Sequence, residues 1–105
     1  MLIIKRDDND VAKNESYRIY INKIEMGSIG NNETAKFQLK NGEYEMYLQG
    51  NLFSSKKVRF SMNEGQIIEF QCNPNYQDNL FSKIVCRILK GGKGISLELK
   101  QDIYL

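Results

Sequence analysis

The chain has 105 residues, 41% hydrophobic and 27% charged, which suits one folded domain burying somewhat more than ~60% of its unfolded surface and excludes a disordered tract. Its 15 Lys and Arg against 13 Asp and Glu leave a formal charge of +2, spread without a basic run, so charge alone points to no polyanion partner. Histidine is absent, which removes the usual neutral-pH general base and zinc ligand.

In chain order, Met1 to Lys5 reads as a first strand, with three apolar residues after Met1 before charge intervenes. That is far short of a signal-peptide core or a membrane span, so the expectation is a cytoplasmic chain with reduced thiols at Cys72 and Cys86. The segment DDNDVAKNE is polar enough to predict a solvated loop. Asp7, Asp8 and Asp10 lack calcium-loop spacing and read as turn formers.

Tyr17, Ile19 and Ile21 then point one way, and Arg18, Tyr20 and Asn22 the other. IEMGSIG continues as strand with a bulge or close backbone approach at Gly27, and Asn31-Asn32 turns the chain. Ala35, Phe37 and Leu39 form the next apolar row, with Thr34, Lys36 and Gln38 opposite. Asn41-Gly42 predicts a type I′ hairpin into the inward row Tyr44, Met46 and Leu48.

Gly50 to Ser55 is a break, after which Val58, Phe60 and Met62 alternate with Lys57, Arg59 and Ser61. Asn63-Glu-Gly65 reads as a tight turn into a strand with Ile68, Phe70 and Cys72 inward and Glu69 and Gln71 outward. NPNYQDN is an expected loop, and Ile84 to Leu89 an expected strand with apolar residues on both faces. GGKG lacks the helix and Lys-Ser/Thr pair of a phosphate loop and reads as a hairpin turn. From Ile95 to Leu105 every odd position but Gln101 is apolar, and the even positions are polar or Tyr.

Seven to eight short strands with turn signals every eight to twelve residues predict an all-β fold, an antiparallel β-sandwich of the immunoglobulin-like or transthyretin-like kind spanning residues 1–105. A small closed barrel fits the uneven strand lengths less well. The run from Tyr17 to Cys72 is similar to small bacterial β-sandwich domains of the PEGA type. Tyr20-Ile21-Asn22-Lys23 stands at their Y-I-D-G turn, Met26-Gly27 at V-G, Phe37-Gln38-Leu39 at F-x-L, and Asn41-Gly42-Glu43-Tyr44 at the following turn. Lys23 and Asn41 depart from the Gly and Pro of that pattern, and its histidine is missing. The resemblance implies a fold and an envelope or scaffolding context, with no functional residue to transfer.

Outward Tyr20 and Tyr47, with Lys57 and Arg59, are the candidate binding residues, within a basic group that also takes in Arg18, Lys36, Lys40 and Lys56. Glu43, Glu45 and Glu69 share the outward positions and weaken the case for nucleic acid. The expected function is a non-catalytic binding or protein-interaction module without cofactor or metal, engaging a protein partner or forming a homodimer through its long C-terminal edge strand. The alternatives are a histidine-independent hydrolase or lyase and a weak nucleic-acid-binding β-domain.

Overall fold

A computed structural model describes residues 1–75 and 93–104. The expected strand over Ile84 to Leu89, Cys86, and most of the NPNYQDN and GGKG turns lie outside the described residues. The described chain is all-β, with nine strands and no helix: β1 Leu2–Arg6, β2 Tyr17–Ile21, β3 Ile24–Ile29, β4 Thr34–Phe37, β5 Gly42–Gln49, β6 Ser54–Ser55, β7 Val58–Met62, β8 Gln66–Pro74 and β9 Lys93–Tyr104.

The expected all-antiparallel pairing is corrected. Hydrogen bonds join the strands in the order β3-β2-β5-β6-β9-β8-β1-β4, with β7 branching from β5. The pairs β1·β8 and β6·β9 are parallel. This is one mixed, nearly barrel-shaped sheet, in which β3 and β4, the two ends of the path, are linked by the Asn31-Asn32 turn. Alternation of apolar and polar residues is the same for parallel and antiparallel neighbours, so the sequence period was silent on this point.

One turn also differs from expectation. The strand before Asn41-Gly42 pairs with β1 and the strand after it with β2, so no hairpin forms there. The type I′ geometry falls instead at Asn22-Lys23, where both residues have positive φ (51° and 67°) and Ile21 pairs with Ile24. Asn22 also clamps the turn to β5, its N–H donating to Glu45 O at 2.8 Å and its Oδ1 accepting from Glu45 N at 3.0 Å. The expected irregularity in IEMGSIG is a β-bulge, since Ile19 pairs with Gly27 and Tyr20 with Glu25, leaving Met26 as the extra residue.

The interior is filled by the expected rows. Tyr17, Ile19 and Ile21 of β2, Met46 and Leu48 of β5, and Ile68, Phe70 and Cys72 of β8 are buried, together with Leu2 and Ile4 of β1. Each such side chain contributes roughly 1.5–3 kcal/mol by leaving water. The loop after β1 is not simply solvated. Arg6, only 2% exposed, donates from Nη1 to Glu15 O at 2.7 Å and Ile29 O at 3.2 Å and from Nη2 to Ala12 O at 2.8 Å, and Ala12 packs into the core. Asp8 accepts from Asn31 Nδ2 at 2.6 Å, which ties the same loop to the β3–β4 turn.

Candidate interaction face on β2, β5 and β7

The register of three strands assembles the candidate residues. Because Ile19 and Ile21 face the core against Leu48 and Met46, the intervening Tyr20 is turned outward and set opposite Tyr47. The two rings lie flat against each other, with centroids 4.9 Å apart and planes within 5°. On the other edge of β5, Glu45 pairs with Arg59, and Met46 with Val58. Lys57, one residue beyond that last pair, brings its Nζ to 5.9 Å from the centre of the Tyr47 ring.

Tyr20, Tyr47, Lys57 and Arg59 therefore occupy one outer face. Arg59 Nε reaches Glu45 Oε2 at 3.3 Å, but the arginine side chain is 86% exposed, so this surface pair adds little to stability. The wider basic group predicted from sequence is divided. Lys36 stands on β4, which pairs with β1, and belongs to a different part of the sheet. Asn22 and Glu45 were not among the candidate binding residues, although the sequence placed Asn22 at a turn and Glu45 among the outward carboxylates. At the turn end of the face an open depression of about 610 Å³ is lined by Asn22, Lys23, Glu43, Tyr44, Glu45 and Arg59, with Phe60 and Ser61 behind them.

A second opening lies beside this face. β6 touches β9 only through Ser54 and Ser55, and from Val58 onward β7 and β9 diverge. The cleft between them, about 590 Å³, has Ile68, Phe70, Leu97 and Leu99 along its floor and Phe60 on the β7 side. Phe60 contacts Phe70 there, with ring centroids 5.8 Å apart.

Stacked phenol rings beside mobile cations can take up an apolar or aromatic partner surface through their flat faces and hydrogen-bond it through their hydroxyl rims. Among the described residues no three Asp, Glu or Cys side chains converge as a metal site, and no helix is long and apolar enough to cross a membrane. The class these features define is an all-β domain with a nearly closed mixed sheet and an outward aromatic-basic ladder. Comparison of the chain with family models, with curated proteins and with solved structures gives no match in any of the three.

Proposed function

We propose that the chain is a non-catalytic protein-interaction module whose contact surface centres on Tyr20, Tyr47, Lys57 and Arg59. The observation that carries this reading is the parallel stack of Tyr20 on Tyr47 with Lys57 above it. Tyr and Arg are residue types that interface cores favour, Lys57 suits the rim, and the ring pair is already ordered before any partner arrives. Glu43 and Glu45 on the same strand disfavour a polyanion. They make a weak hydrolase or lyase site, because the two carboxylates share the outer face but Glu45 is tied to Arg59 and the depression they line is open to solvent.

A cytoplasmic setting and a PEGA-like scaffolding role accord with this reading, as does sandwich-like packing of β2, β5 and β7 against β8 and β1 across the core. A homodimer through β9 is the second reading, favoured by the outer edge of that strand, which has no strand partner beyond Ile95 among the described residues. The test is affinity capture from the source cells with the wild-type chain and with a Tyr20→Ala/Tyr47→Ala variant that is still folded at the capture temperature. A partner held by the first and lost by the second is the expected result. Equal recovery by both removes the assignment of the face.

A further inference from the structure

The cleft between β7 and β9 combines two features that point to one kind of occupant. The first is its floor. Leu99 pairs with Phe70 and Tyr104 with Gln66, which places both on the side of the sheet that faces the interior. Yet Leu99 is 56% exposed and Tyr104 62%, because β7 has moved away and nothing among the described residues covers them. The second is its walls. Among the described residues β7 pairs with β5 alone, and β9 beyond Ile95 with β8 alone, so two strand edges without a strand partner among those residues flank the apolar floor.

An apolar floor alone would suit many ligands, whereas two free edges select an extended polypeptide, which alone offers matching N–H and C=O groups at strand spacing. The charges select further. Lys56, Lys57 and Arg59 line the β7 side, and the single carboxylate across from them, Asp102, already accepts from Gln66 Nε2 at 2.7 Å. A second copy of the chain is poorly matched to this wall. Its longest free edge, β9, carries Lys100 between its two carboxylates, and one of these, Asp102, already accepts from Gln66.

We propose that the β7–β9 cleft binds a short extended segment of an acidic partner protein, which enters as an added strand with apolar side chains on Phe60, Phe70 and Leu99 and carboxylates toward Lys56 and Lys57. The five residues of β7 set the length of the segment that can be paired on that side. Such a site presupposes the interaction-module function proposed above and adjoins the tyrosine face at Lys57 and Arg59, but it is read out separately, through Lys56 and Leu99.

The experiment titrates the purified 105-residue chain into a fluorescein-labelled nonapeptide alternating valine and glutamate. Parallel titrations use a valine–lysine peptide and a valine–glutamate peptide with a central proline. Saturable anisotropy for the glutamate peptide is expected, at least tenfold weaker for both controls and weakened further as salt rises. Amides of residues 58–62 and 96–104 gain hydrogen-exchange protection on binding. Leu99→Glu and Lys56→Glu each lower the affinity at least tenfold, and Lys56→Glu, at an exposed site, keeps the test intact if Leu99→Glu fails to fold. No saturable binding, equal binding of the lysine peptide, or indifference to Lys56→Glu overturns the site. So does protection of the same amides by self-association of the peptide-free chain, which would assign the cleft to a second copy. Failure here leaves the capture test on the tyrosine face standing, and failure there leaves this titration standing.

Discussion

The guanidinium of Arg6 lies 4.0 Å above the centre of the Tyr17 ring, and neither side chain reaches solvent. Three backbone carbonyls from the loop and from β3 accept hydrogen bonds from the same guanidinium. A buried cation is thereby made the fastener of a loop that composition marks as polar.

Replacing Arg6 by Met keeps most of the volume and removes those charge-assisted hydrogen bonds. Each buried carbonyl left without its donor costs about 1–3 kcal/mol. The expected result is a large fall in the urea midpoint at unchanged m-value. Arg6→Lys recovers only part of it, since an ammonium lacks the planar fork. A Met variant as stable as wild type would show that the loop is held by other contacts.

Burial pushes the Cys72 thiol up from 9.0 to about 12, with the nearby Arg6 charge opposing the rise. The folded chain therefore holds its thiol proton where the unfolded chain has begun to release it. Stability from this group is complete below about pH 9 and is lost as pH rises from there toward 12. In a Cys86→Ser background, Cys72 is expected to resist a thiol reagent at pH 8 until urea unfolds the chain, and Cys72→Ala is expected to flatten the alkaline fall in thermal midpoint. Rapid labelling of the folded chain would refute the buried placement.

Lys23 holds φ at 67°, in the left-handed region that suits Gly or Asn. Lys23→Gly creates Asn-Gly at a type I′ turn and is expected to stabilise the chain by about 1 kcal/mol. Thermal unfolding checks the sign.

Stacking of Tyr20 on Tyr47 is expected to give a coupling of about 0.5–1.5 kcal/mol in a double-mutant cycle with Ala at each position. Zero coupling, measured by chemical denaturation of the four proteins, would mean that the rings do not stack in solution.

Gly94 lies where β9 begins to pair with β6, directly over Phe53. A Cβ at this position would fall 2.6 Å from Phe53 Cγ and 2.7 Å from its Cδ1. Those atoms belong to the base of a buried ring that has little room to swing aside, so Gly94→Ala is expected to cost about 1–3 kcal/mol. Gly94→Ala in a Phe53→Ala background, which removes Cγ and Cδ1, should lose less, which a urea titration of the single and double variants would show.

Which side of a strand faces inward was legible along most of the chain. The rows Tyr17-Ile19-Ile21, Met46-Leu48 and Ile68-Phe70-Cys72 are buried as the two-residue period implies, and that same period set Tyr20 and Tyr47 outward. Alternation states only a face, because it reflects each residue's exchange between water and interior. Which strand lies alongside depends on contacts between residues distant in sequence, so the partners of β4 and β5, the parallel pairs and the split between β7 and β9 were decided by tertiary structure.

The last strand shows the boundary between the two. Its odd-numbered apolar row holds through Leu99, and then the pairing slips so that Gln101 follows Leu99 opposite β8. Asp102 and Tyr104 thereby take the inward side, and Ile103 the outer one. Charged Lys100, the residue skipped at the slip, gives no local sign of it, since a bulge is placed by the fit of the whole ladder. Composition and period thus determined an all-β chain and most of its inner rows, while the closure of the sheet, the burial of Arg6 and the open cleft came from long-range pairing that no local pattern encodes.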